Sequence, residues 1–232
     1  MNPESQKRIQ RLFGKACGEY QLLKDGDRVL VALSGGKDSL ELLRLMARQS
    51  RIHKPSIEVE AAHVIVSNIP YSTDIDYLSD FCKEEGIPLH VLTTSFDEST
   101  DRRKTKCFLC SWNRRKTLFQ FATDYKFNKV ALGHHMDDIV ITALMNATFE
   151  GSFSSMKPLM KMEHYPIEVI RPMCLVHEDM IKEVAEEDGF HKQKRTCPYE
   201  HVTQRDRMAD ILKMLEKENS EAKYSLWRAL NR

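Results

Sequence analysis

Apolar and polar positions change their period along this chain. Ile9, Leu12, Phe13 and Ala16 recur at helical spacing within residues 1–25, which predicts a polar leading helix with one apolar stripe. From residue 26 the rhythm alternates. Residues 29–33 form a short apolar run, the mark of a strand buried on both faces. A glycine pair follows, then 38–49 with Leu and Met at helical spacing. Residues 57–66 read as a second strand, and 72–85 as a helix ended by Gly86 and Pro88. Residues 89–93 read as a third strand, 94–108 as a polar, basic loop and 114–125 as a helix. Residues 129–133 make a fourth strand, 137–149 a helix, 168–171 a short strand and 177–188 a helix. Met208, Ile211, Leu212 and Leu215 form a last stripe, set to dock on the sheet or on a second subunit of a homodimer. Strands alternating with helices predict an α/β fold, an open parallel sheet with helices on both faces. In such a sheet a ligand lies beyond the carboxyl ends of the strands, where the strand order reverses. The chain divides into an N-terminal helical segment (1–25), a central α/β domain (26–190) and a C-terminal helical segment (191–232).

The composition narrows the class. In 232 residues, 41% are hydrophobic and 30% charged, which fits a folded globular chain and not a disordered one. No apolar run approaches the ~20 residues that span a bilayer, and the opening MNPESQKRIQRLF lacks the apolar stretch of a secretory signal. The expectation is a cytoplasmic protein, without a membrane partner, whose six cysteines are reduced. The charge is nearly balanced, 35 Lys+Arg against 34 Asp+Glu, which argues against a wholly basic nucleic-acid binder. Its distribution is uneven, however. Residues 101–117 carry Arg102, Arg103, Lys104, Lys106, Arg114, Arg115 and Lys116 against the single acid Asp101, with Phe108 and Trp112 interleaved. Lys192, Lys194 and Arg195 form a second basic group. A basic patch with stacking platforms suits single-stranded RNA; the alternative is a solvated, charged loop.

The strongest local signal is Ser34-Gly35-Gly36-Lys37-Asp38-Ser39, set between a predicted strand and a predicted helix. The glycines allow backbone conformations and close approaches that a Cβ forbids, so amide N–H groups turn into one concavity at a helix start. That makes an anion site. The helix dipole alone supplies only ~0.3–1 kcal/mol, so the hydroxyls of Ser34 and Ser39 and the charge of Lys37 are enlisted too. Asp38 disfavours a bare anion and suits a metal-bound phosphate. The glycine spacing differs from that of the GxxxxGK[ST] loop. His63 and Val64, at the end of the second strand, are candidates for an adenine–ribose pocket, and Gly133 for close approach of backbone to nucleotide.

Cys107-Phe-Leu-Cys110 places two thiols on one turn of backbone, suited to a shared metal or a redox disulfide. The chain has no second CxxC, and the plausible third thiol is Cys197, directly after the basic stretch ending at Arg195. Three thiolates suit an iron–sulfur cluster with one iron left open. An incomplete zinc site, a catalytic disulfide or three ordinary cysteines are the alternatives. Cys17, Cys82 and Cys174 sit in apolar surroundings and read as packed thiols.

Taken together, SGGKDS, CFLCSWNRRKTLF, Ala131-Leu-Gly-His-His-Met-Asp-Asp138 and Val169-Ile-Arg-Pro172 resemble the TtcA/TtuA group of tRNA thiolation enzymes, within the PP-loop ATP pyrophosphatases, over roughly residues 25–215. The 2-thiocytidine branch is the nearest likeness. The resemblance implies the adenine-nucleotide α-hydrolase-like fold of that superfamily, with ATP, Mg²⁺ and a 4Fe-4S cluster. It further implies tRNA as substrate and a sulfur donor such as a cysteine desulfurase. By position it makes Cys107, Cys110 and Cys197 the cluster ligands, and Arg114 the basic residue facing the reacting centre. Lys37 then serves the departing pyrophosphate. Asp38 and Asp137 hold Mg²⁺, with Asp137 favoured for the direct role and Asp138 beside it in the nucleotide site or capping the next helix. Arg102, Arg103, Lys104, Lys106, Trp112, Arg115, Lys116, Lys192, Lys194 and Arg195 form the RNA surface. The pattern departs from the group in having one cysteine, in TCPYE, where a second CxxC is common. Two other readings stay open at this level: an ATP pyrophosphatase that thiolates or amidates a small molecule, and a non-catalytic module that binds nucleotide and cluster.

Overall fold

The apolar run at 29–33 lies in β1 (Asp27–Ala32), at the middle of a six-stranded sheet. The computed structural model describes residues 3–69, 73–97, 105–191 and 204–231. The other strands are β2 (Ile57–Val66), β3 (Leu89–Thr94), β4 (Lys129–Ala131), β5 (Leu159–Lys161) and β6 (Glu168–Ile170), in the order β3-β2-β1-β4-β6-β5. All neighbours are parallel except β5 and β6. Val29 stands beside Val59 of β2 and Lys129 of β4, so β1 is paired on both edges.

The helices are α1 (Pro3–Glu19), α2 (Lys37–Ser50), α3 (Ile75–Glu84), α4 (Lys106–Asp124), α5 (Met136–Met145), α6 (Glu178–Glu187), α7 (Gln204–Glu218) and α8 (Ala222–Leu230); a π-helical turn, Asn146–Glu150, extends α5. Alternation along β1 explains its unbroken apolar run. Val29 and Val31 enter one core with Leu40, Leu43 and Met46 of α2, whereas Leu30 enters another with Leu118, Phe119 and Ala122 of α4. Burying a side chain of this size stabilises by roughly 1.5–3 kcal/mol. The two faces are covered unequally. Apolar residues of α1, α2, α3, α5, α6, α7 and α8 share the first core, and α4 covers the second face. Right-handed crossovers leaving β1 in one direction and returning from β3 to β4 in the other require that switch of face. The chain reaches β6 through antiparallel β5, so the crossover rule does not place α5.

Three sequence expectations need correction. The polar loop expected over 94–108 is shorter, because α4 begins at Lys106 with Thr105 as its cap: the Thr105 hydroxyl accepts from the Phe108 amide at 3.2 Å. Cys107, Cys110 and Trp112 therefore ride on a helix. The three-residue strand β5 and the helix α8 were not anticipated. The stripe at 208–215 splits: Met208 and Leu212 are buried in the main core beside Trp227, while Ile211 and Leu215 are exposed.

Candidate active site

The glycine-rich loop joins β1 to α2 at the carboxyl edge of the sheet, beside the point where strand order reverses between β1 and β4. Gly35 has φ +86°, a conformation that glycine adopts without steric cost. Ser39 organises the loop from inside. Its hydroxyl accepts from the amides of Ser34 and Gly35, both at 3.1 Å, and donates to the Gly36 carbonyl at 2.8 Å. Ser34 Oγ donates to Ser39 Oγ at 3.0 Å. The first amides of α2 have no acceptor within their own helix, and no side chain caps Gly36, so the positive end of the helix faces the loop.

Lys37 Nζ lies 2.9 Å from Asp38 Oδ1 and 3.1 Å from Glu178 Oε1, at the start of α6. Burial pushes its pKa down, but these two carboxylates outweigh burial and hold it up. Gly133 closes the other side of the loop. A Cβ there would lie 3.1 Å from the carbonyl carbon and oxygen of Asp38 and 3.2 Å from the Ser39 amide nitrogen. The close approach at this glycine is therefore to the backbone of the phosphate loop itself.

The segment after β4 brings together a second set of charges. His135 is buried, with Nε2 3.8 Å from Asp38 Oδ1 and 3.5 Å from Asp138 Oδ2, and Nδ1 3.6 Å from Asp137 Oδ2. Burial lowers its pKa, and the three carboxylates more than reverse that, so it is raised overall. Its neighbour His134 is held neutral, its pKa lowered to about 4 by burial and by the charge of Arg171. The adjacent aspartates diverge. Asp138 accepts from the His135 amide at 3.0 Å, closing the first turn of α5, and pairs with Arg205 of α7. Asp137 accepts from the Glu178 amide at 3.0 Å, at the start of α6, and pairs with Lys223 of α8 at 2.6 Å. Burial raises the Asp137 pKa, but His135, Lys223 and the Glu178 amide outweigh it and keep the carboxylate ionised far below its usual range. Both of its oxygens are engaged. Asp38 is the more exposed carboxylate, about one-third exposed; Lys37 Nζ bonds both of its oxygens, at 2.9 and 3.1 Å, and Asp138 stands across His135.

Beyond β1 opens a cavity of about 150 Å³, bounded by Ser34 of the loop, His63 and Val64 of β2, and Arg114 and Arg115 of α4. His63 is buried, its Nδ1 2.7 Å from the Leu33 carbonyl; burial and Arg114 lower its pKa and keep it neutral. One turn up α4, Cys110 is half-buried beside Val66, Ile69, Phe96 and Leu109, and Cys107 is exposed. Three residues apart on a helix, the two thiols share a face near its N-terminus, a placement that fits joint ligation of a cluster. On the same turns Phe108 and Trp112 lie nearly parallel, 9° apart with centroids at 6.4 Å, and are 40% and 54% exposed. Lys106 is half-buried; Arg115 and Lys116 are exposed. Cys197, Arg102, Arg103, Lys104, Lys192, Lys194 and Arg195 lie outside the described residues. Cys17, Cys82 and Cys174 are packed thiols, pushed up by burial to about 12, 11 and 12.

A larger cavity, about 410 Å³, sits at the opposite edge of the sheet, among Lys24, Asp27, Lys129 and Glu168. Its buried lysine is satisfied: Lys129 Nζ meets the Leu22 carbonyl at 2.7 Å, Glu168 at 3.1 Å and Asp27 at 3.3 Å. That arrangement closes the amino ends of β1, β4 and β6 and leaves the ligand edge elsewhere. Glu178, Arg205 and Lys223 were not anticipated at the site. Each is a single charge on an amphipathic helix, which sequence cannot tell from a solvated one.

The PP-loop domain family matches residues 1–196. A tRNA-cytidine(32) 2-sulfurtransferase of Geobacter sulfurreducens is 35% identical, covering 97% of this chain and 89% of its own length. The protein of the same name from Bdellovibrio bacteriovorus is 34% identical over 91% of this chain and 82% of its own. Among solved structures, the U34-tRNA thiolase NcsA of Methanococcus maripaludis, with its [4Fe-4S] cluster, superposes with a TM-score of 0.82 at 30% identity, covering 97% of this chain and 77% of that one. The NH3-dependent NAD synthetase of Campylobacter jejuni, at 11% identity and TM-score 0.55, shares the fold.

Proposed function

The chain belongs to the PP-loop family and, within it, to the tRNA-cytidine 2-sulfurtransferases, and from that premise we propose that it activates a tRNA cytidine with ATP and replaces its C2 oxygen by sulfur. The observation that carries this reading is the double use of α4. Arg114 lines the cavity beside the phosphate loop, and Cys110 precedes it by one turn, about 6 Å along the helix axis. One rigid element thus spans the nucleotide site and the thiols.

In the first half-reaction the C2 oxygen attacks the α-phosphorus of ATP and pyrophosphate leaves. Charge builds on the departing pyrophosphate, and the amides at the start of α2 and Lys37 face that charge. Lys37 exchanges its pairing with Asp38 and Glu178 for the phosphates. Asp38 is the first candidate to hold Mg²⁺, which neutralises phosphate charge; Asp138 faces the same histidine, and Asp137 acts from behind through the start of α6. His63, Val64 and the loop shape the pocket for the nucleoside. In the second half-reaction sulfide-level sulfur (HS⁻) adds at C2 and loses its proton, the C2–O bond breaks and AMP leaves with that bond's electron pair, with Arg114 beside the phosphate of the adenylated base. Cys107, Cys110 and Cys197 would hold a 4Fe-4S cluster, whose open iron would bind the sulfur to be transferred. Phe108 and Trp112, with Lys106, Arg115 and Lys116 and the basic residues flanking them in sequence, receive the RNA. Among the described residues no helix is long and apolar enough to cross a membrane. We place the enzyme in the cytoplasm, working as a homodimer and supplied with sulfur by a donor such as a cysteine desulfurase.

Nucleoside mass spectrometry of tRNA from cells lacking the protein tests this. The expected result is loss of 2-thiocytidine, restored by the wild-type chain and not by Lys37→Ala. Unchanged 2-thiocytidine in the deletion would reject the assignment.

A further inference from the structure

The two consecutive aspartates after β4 are each held from behind by a cation on the C-terminal helices. Lys223 of α8 is 7% exposed and bonds Asp137 at 2.6 Å and Glu216 of α7 at 3.0 Å. Arg205, in the first turn of α7, pairs with Asp138. Both cations lie beyond residue 196, where the match to the PP-loop domain ends. Each pairing continues inward to the phosphate loop. From Lys223 it runs through Asp137 to the Glu178 amide, and the Glu178 side chain bonds Lys37 at 3.1 Å. From Arg205 it runs through Asp138 to His135, whose Nε2 lies 3.8 Å from Asp38.

Three carboxylates crowd this site. Asp38, Asp137 and Asp138 all lie within 4 Å of His135, and a nucleotide adds further negative charge. Like charges so close repel unless cations offset them. A buried, hydrogen-bonded ammonium also fixes where a carboxylate points, because breaking such a pair leaves an uncompensated charge. Lys223 spends its charge on Asp137 and Glu216, and so stands behind the site and not in it. We infer that Lys223 and Arg205 are positioning residues for ATP cleavage: the α7–α8 pair sets the geometry of the phosphate loop through Asp137 and Asp138. This rests on the reading of the loop as an ATP site.

A positioning role has a kinetic signature distinct from a merely structural one. Misplaced reacting groups lower kcat, whereas KM changes little when ground-state contacts survive. The test measures pyrophosphate release from ATP with Mg²⁺ and tRNA by the full chain carrying its cluster, alongside melting temperature. Lys223→Gln is expected to lower kcat at least tenfold with KM for ATP within threefold of wild type, and Lys223→Arg to recover most of the loss. Arg205→Gln is expected to lower kcat about threefold or more without a change in melting. Arg205 is half-exposed, so this variant decides the matter even if Lys223→Gln fails to fold. Wild-type kcat in Lys223→Gln overturns the inference. So does wild-type kcat in Arg205→Gln, where Lys223→Gln is unfolded or loses activity without rescue by arginine. A wild-type chain that releases no pyrophosphate overturns the reading of the site, and this inference with it.

Discussion

Replacing Gly133 by alanine adds one methyl group where two backbone segments meet. The new Cβ would lie 3.1 Å from the Asp38 carbonyl carbon and oxygen and 3.2 Å from the Ser39 nitrogen. Comfortable carbon contacts begin at about 3.5 Å, so the shortfall is a few tenths of an ångström against three backbone atoms. None of them is the end of a flexible side chain. They belong to the first turn of α2, which Ser39 ties to the phosphate loop at 3.1 and 2.8 Å. Overpacking of this kind costs about 1–3 kcal/mol. For a chain of this length each kcal/mol moves the melting temperature by about 2–4 °C, so the expected drop is about 2–12 °C. Asp38 and the loop amides move with the displaced turn. A misplacement of 1 Å can cost ~10²-fold in rate, so a shift of a few tenths is expected to lower ATP cleavage by about an order of magnitude. Thermal melts and pyrophosphate release read the two effects separately. Gly14→Ala is the control, because its Cβ meets nothing within 4 Å and it sits inside α1; it is expected to stabilise by about 0.5–1 kcal/mol. A Gly133→Ala chain that melts within 1 °C of wild type and cleaves ATP at the wild-type rate would refute the packing argument.

Glu41 is fully buried against Gln6 and Arg44, and burial, outweighing both, raises its pKa from the usual 4.5 to about 7. The folded chain keeps a proton there that the unfolded chain releases, so this group makes stability fall as pH rises from about 4.5 to about 7. Glu41→Gln should remove that fall and, above pH 7, gain on the order of 3 kcal/mol over wild type in denaturant titrations, and a pH-independent difference would rule it out. Cys110→Ser should abolish absorbance near 400 nm in anaerobically purified protein while leaving ATP binding within threefold; retained colour would exclude Cys110 as a ligand. Trp112→Ala should weaken RNA binding about 5- to 150-fold, the equivalent of ~1–3 kcal/mol for a stacked base, with little change in melting because the ring is exposed. Equal affinity of the two proteins would remove the aromatic pair from the RNA surface.

Much of this protein is legible without coordinates. The run at 29–33 is apolar on both sides because β1 is covered on both faces, and such a strand can hardly be anything else. SGGKDS is local chemistry: two glycines, two serines and a helix start within six residues make the loop's internal hydrogen bonds. The CxxC pair is local in the same sense, though the basic residues around it concealed the Thr105 cap that makes it helical. The short strand β5 carries no pattern of its own, since three residues cannot display a period.

Only tertiary structure decided how the charges are shared. Two adjacent aspartates look alike in sequence. The fold gives Asp138 to α5 and Arg205, and Asp137 to α6 and Lys223, across 67 and 86 residues of chain. Gly133 likewise reads as a backbone opening for nucleotide until the fold sets it against Asp38. Hydrophobic periodicity is fixed by which face of an element is buried, a short-range property that repeats and so can be read. An ion pair is a single contact between distant elements, and its partners become neighbours only when the core has brought their helices together.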